Sequence, residues 1–203
     1  MTFSALMIFC VALVINAGSP GPSVAALISR VLTNGFLDVF PFLAAMWLGE
    51  AIWLTLAVTG LSALAQSFAT VFIALKYVGV VYLLYLAWNM WNAPVEIKED
   101  AAPRRRQSLK MFSAGMMVTL GNPKIMIFYI ALLPTIIDIG HVKTTAWAVL
   151  IATLITILAA IDLTWSFIAV RARRLLRNPK AMRTANRTSA GMMTGAVVAI
   201  ATK

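Results

Sequence analysis

No Asp, Glu, Lys or Arg occurs from Met1 to Ser29, and the one interruption of that uncharged run is residues 16–23, NAGSPGPS. In hydrocarbon every backbone N–H and C=O must be satisfied inside the protein, so a run of this kind reads as a membrane helix. One upright helix of ~30 residues would reach ~45 Å at about 1.5 Å per residue, against a hydrocarbon core of ~30 Å. A break removes the excess. Proline cannot donate a backbone hydrogen bond and clashes with the preceding turn, while Gly21 permits unusual dihedrals. Ser19 can cap a helix, and Pro20 or Pro22 suits the first turn of a new one. SPGP is therefore expected to end one half-helix and start another.

The rest of the chain agrees with a membrane setting. Hydrophobic residues make up 61% of it and charged residues 12%, against roughly half and a quarter in soluble domains. Six apolar spans follow one another: about 2–33 (interrupted at 18–22), 39–60, 71–91, 109–137 (interrupted at 121–123), 145–170 and 185–202. The expected fold is all-α and integral to the membrane, a single polytopic domain over 1–203. Residues 1–92 and 109–203 form its two halves, with a polar link at about 93–108. A secretory leader is not expected, because MTFS carries no positive charge.

The net charge of +10 does not point to nucleic acid, since the basic residues fall in short links and form no aromatic-and-basic face. Thirteen Lys and Arg lie in the links after spans one, three and five, and three (Lys76, Lys143, Lys203) lie on the other side. The positive-inside rule puts the thirteen in the cytoplasm and both termini in the periplasm. Trp88 and Trp91 fall where an interfacial aromatic belt would. Cys10 and His141 are the single cysteine and histidine, which gives no disulfide, metal ligand set or catalytic triad. Neither an enzyme nor a cofactor site is expected. Gly191, Gly195 and Ala199, at four-residue spacing, allow close helix packing and a candidate homodimer face.

The grammar of the first break recurs. Gly18-Ser19-Pro20 is matched by Gly121-Asn122-Pro123: a helix stop, a cap residue and a first-turn proline. Each break is followed by a span holding one acid, Glu50 in span two and Asp162 in span five. Three spans is an odd number, so the second unit enters from the opposite side, as an inverted repeat with broken helices at matching positions. The match is imperfect: thirty residues separate Pro20 from Glu50, and thirty-nine separate Pro123 from Asp162.

Breaks in a bilayer persist where they are buried in protein or line a cavity. Free N–H groups at a half-helix start favour an anion, and carbonyls at the end of the preceding half favour a cation. A zwitterion suits both. Membrane-embedded acids face cavities, pair with cations or exchange protons. Lys124 is the one basic residue placed at depth; it is expected to neutralise Glu50 or Asp162, as a plain structural ion pair would, or to meet a substrate carboxylate. The candidate substrate and ion site is Asn16, Ser19, Pro20, Gly21, Pro22, Ser23, Glu50, Asn122, Pro123, Lys124 and Asp162.

Pro20-Gly21-Pro22, Leu48-Gly49-Glu50, Lys76-Tyr77-Val78-Gly79 and the run Tyr82 to Trp88 resemble the LysE/RhtB amino-acid exporter family. Gly121-Asn122-Pro123-Lys124 through Leu133-Pro134, and the Arg-rich link before span six, extend the likeness over nearly the whole chain. The resemblance implies efflux of amino acids or their derivatives across the bacterial inner membrane, driven by proton antiport. Glu50 stands where many members have Asp, and Thr135 where many have Gln. The rival readings are a transporter of metal ions or other small solutes, for which the chain lacks His and Cys ligands, and a passive channel.

Overall fold

The computed structural model describes residues 2–61, 104–138 and 142–175, with scattered positions between 77 and 92 and between 183 and 198. All regular structure among the described residues is helical. Spans three and six fall largely outside them, as do His141, Lys76 and Ala199.

Helix α1, Phe3–Gly18, starts at Thr2, whose hydroxyl accepts from the Ala5 N–H at 3.2 Å. It stops where Ser19 turns extended (φ −75°, ψ 140°) ahead of Pro20. Helix α2, Pro22–Asn34, then leaves at 53° to α1. Pro22 is its first residue and Gly21 its N-cap, so of the two prolines that suit a first turn it is the second that starts the helix. Gly21 is extended at φ −169°, a conformation open to any residue, so dihedral freedom is not its purpose. Gly35 ends α2 at φ 89°, in the region that favours glycine.

After a 3-10 turn, Leu37–Val39, helix α3 spans Phe40–Leu56 and continues into a π-helical turn, Ala57–Leu61. Helix α4, Arg104–Leu120, begins about five residues before the apolar run does, on its basic side. The second break follows at Gly121 and Asn122. Asn122 is a true N-cap, its side-chain oxygen accepting from the Lys124 N–H, and Pro123 opens the short helix α5, Pro123–Ile127. A second π-helical turn, Phe128–Leu132, leads to α6, Leu133–Ile136. Helix α7, Thr144–Leu175, is unbroken.

Two helical stretches among the described residues are long and apolar enough to cross a bilayer, Leu37–Thr59 and Thr144–Ala172, and the bent pair α1–α2 makes a third if it is one span. Only 22% of the apolar window of α7 is buried. A helix so apolar and so uncovered is matched to lipid rather than water. The chain is a membrane protein, helical in all the regular structure of its described residues.

The core divides into two clusters. One joins α2, the start of α3, α4 and the end of α7, through Leu27, Val31, Phe42, Met111, Val118 and Ala169. The other joins α1, the end of α3, α5 with the π turn after it, and the first half of α7, through Phe9, Leu13, Trp53, Ile125, Tyr129 and Leu154. The first half of one broken span thus packs with the second half of the other, and the two run antiparallel with their breaks between the clusters. Trp47 packs against both clusters.

Glycines bring α3 and α4 together. A Cβ on Gly115 would lie 2.5 Å from the Phe42 carbonyl oxygen and 2.9 Å from Ala45 Cβ; one on Gly49 would lie 2.8 Å from Thr119 Cγ2. Backbones this close need small residues. The contact sets Glu50, next to Gly49, beside the second break.

Candidate functional site

Both breaks open onto one cavity of about 20 Å³, between the two core clusters. Asn16, Ser19, Gly21 and Ser23 line it from the first break, and Asn122 and Lys124 from the second. Glu50 reaches it from α3 and Asp162 from α7. Val24, Met46, Ile125 and Leu158 supply apolar wall. The three prolines of the expected site do not line it: Pro22 and Pro123 are buried in the helix starts and Pro20 is exposed. A cavity this size holds about one water, so the chamber is closed down around its polar groups.

The two acids are buried, Glu50 at 5% exposure and Asp162 at 4%. Each accepts a hydrogen bond from an aromatic side chain on another helical segment. The Tyr129 hydroxyl donates to Glu50 Oε2 at 2.8 Å, from the second π turn. Trp47 Nε1 donates to Asp162 Oδ2 at 2.9 Å, from α3 to α7. These partners were missed in the sequence. The signal was present in general form, because a buried carboxyl needs donors and a buried Tyr or Trp needs an acceptor. It could not assign the pairs. Trp47 and Trp53 lie three residues either side of Glu50, yet Glu50 takes its donor from Tyr129.

Lys124 makes its direct hydrogen bonds to the first break. Its ammonium donates to the Asn16 carbonyl oxygen at 2.6 Å, the Ser19 carbonyl oxygen at 3.0 Å and Ser19 Oγ at 2.7 Å. An ammonium has three donors, and all three go to neutral oxygens at the end of α1. Lys124 therefore stabilises the carbonyl end of a half-helix, the negative end of its dipole, with Glu50 and Asp162 on the same cavity. Ser19 departs from its expected role as a cap: its hydroxyl donates back to the Asn16 carbonyl at 3.1 Å, closing α1 instead of capping α2.

A second link crosses the breaks. Asn122, 1% exposed, donates from Nδ2 to Ser23 Oγ at 2.8 Å. Asn122 and Lys124 thus tie the start of α5 to both sides of the first break. The N-terminus of α2 has no side-chain cap and meets the cavity at Ser23 and Val24. Among the described residues no three His, Cys, Asp or Glu side chains gather as a metal site would need.

The sequence profile of the LysE type translocators matches residues 14–203, which takes in both breaks and both acids. The chain belongs to the LysE type translocator family. Relatives of the translocator include an uncharacterized membrane protein of Synechocystis, 30% identical over 165 residues, 81% of this chain and 80% of that one. A homoserine/homoserine lactone efflux protein of Salmonella typhimurium is 25% identical over 203 residues, covering 99% and 98% of the two chains. A leucine efflux protein of an Enterobacter species is 26% identical over 137 residues, 66% and 65% of the two. No solved structure gives a significant match to the translocator.

Proposed function

We propose that this translocator is a secondary active exporter of amino acids or amino-acid derivatives, working by proton antiport across the bacterial inner membrane. The observation that carries the reading is the shared cavity: two half-helix breaks and two buried acids converge on one space inside an apolar helical bundle. The names of the relatives, efflux proteins for homoserine and for leucine, agree with it.

A zwitterion finds complementary groups there. The uncapped start of α2 suits its carboxylate. Glu50 and Asp162 supply negative charge for its ammonium or for a proton. The antiparallel packing of the broken spans supports an inverted repeat of six spans, in which rocking of one half against the other opens the chamber to each side in turn. Both termini then lie in the periplasm, as the basic links favour.

The reading is tested by purifying the protein into proteoliposomes and measuring release of homoserine and leucine with and without a pH gradient. Release is expected to quicken when protons can flow inward against it. Release of either solute that ignores the gradient removes the antiport; no release of any amino acid removes the exporter.

A further inference from the structure

The oxygens that hold Lys124 form a finished receptor for a primary ammonium. Three acceptors, two carbonyls and one hydroxyl, converge within 3.0 Å of Nζ. They belong to the end of α1, where four carbonyls of any helix lack intrahelical partners and the dipole favours a cation. Asn16, Ser19 and Lys124 all line the cavity, so the receptor opens into the chamber and not into sealed core.

The lysine that fills it is held at its tip. A Cβ built on Gly21 would stand 3.5 Å from both Cδ and Nζ of Lys124, so the end of the side chain lies across a bare backbone. Two other acceptors face the same cavity. Each carboxyl accepts one hydrogen bond, Glu50 from Tyr129 and Asp162 from Trp47, and an ionised carboxylate has room for about four. A displaced ammonium would find a partner there, so leaving the receptor need not strand a buried charge.

We propose that this oxygen cluster is where a solute's primary ammonium binds, and that Lys124 is its tethered occupant, displaced into the chamber toward Glu50 and Asp162 when an amine enters. The inference rests on the exporter reading for the identity of the solute, but not for the chemistry of the receptor. It makes Lys124 an internal competitor: the apparent affinity for an amine is lowered by the fraction of time the lysine fills the cluster. The ligand class is R–NH3⁺. A quaternary ammonium carries the charge but no N–H to donate, and is refused.

The test uses methylammonium as the probe and the detergent-purified full chain, with binding read by calorimetry. Lys124→Met removes the occupant and leaves the three acceptors. It is expected to bind methylammonium about 10-fold or more tighter than the wild type, and to show no response to tetramethylammonium. Equal affinity in the two proteins, no binding by the variant, or an equal response to tetramethylammonium overturns the proposal. If Lys124→Met does not fold, Lys124→Gln replaces it and carries the same expectation, since its amide can still donate to Asn16 and Ser19 but holds them more weakly. Gain of methylammonium binding without amino-acid export in proteoliposomes would remove the exporter reading and leave the receptor. Export without that gain would do the reverse.

Discussion

The Tyr129 hydroxyl meets Glu50 Oε2 at 2.8 Å, and both residues are buried. An acid on α3 is thus satisfied by a donor from the π-helical turn Phe128–Leu132. Tyr129→Phe removes the donor and leaves the acid. A buried acceptor left unsatisfied costs about 1–3 kcal/mol, so thermal unfolding in detergent should shift down by that much. The double variant with Glu50→Gln should lose less than the sum of the two singles, because the residues share one interaction.

Asn122 has two duties, capping α5 and bonding Ser23 across the breaks. Asn122→Ala should cost about 1 kcal/mol for the cap and about 1 kcal/mol for the second bond. Ser23→Ala removes the second bond and keeps the cap, so it should cost about half as much. Denaturation of both variants in the same detergent checks the ratio.

Gly115 and Gly18 should respond in opposite ways to the same change. A Cβ at Gly115 would press on the Phe42 carbonyl at 2.5 Å, while one at Gly18 meets nothing within 4 Å. Gly115→Ala should destabilise by about 1–3 kcal/mol through forced separation of α3 and α4. Gly18→Ala, at a helical position, should be neutral or stabilising by up to about 1 kcal/mol.

The Thr119 hydroxyl is fully buried and finds no hydrogen-bond partner among the described residues. Thr119→Val keeps the shape that fits against Gly49 and deletes the orphaned oxygen. It should stabilise the protein by about 1 kcal/mol in thermal unfolding.

Much of the site was legible because breaks and charges in a bilayer are costly and therefore few. The uncharged run to Ser29 located the first break, and the proline after Asn122 located the second. Glu50 and Asp162 stood out as the acids inside apolar spans, and they share the cavity. What was not legible depends on geometry across helices. Lys124 looked like an ion-pair partner because charge can be read from residue type, whereas three backbone and hydroxyl oxygens at the end of α1 cannot. Of the two prolines that suit a first turn, Pro22 and not Pro20 starts α2, because Ser19 closes α1; local propensity does not make that choice. Gly21 looked like a dihedral requirement, yet it is extended, and a Cβ there would meet the Lys124 tip at an ordinary contact distance of 3.5 Å.

The central claim is that the first break faces the path taken by the solute. Ser23→Cys in a Cys10→Ser background puts a single thiol at the cavity wall beside Asn122. In proteoliposomes, leucine and homoserine release should be blocked by a membrane-impermeant thiol reagent applied from either side, and excess solute should slow the labelling. Full release after that thiol has been labelled from both sides would contradict the account.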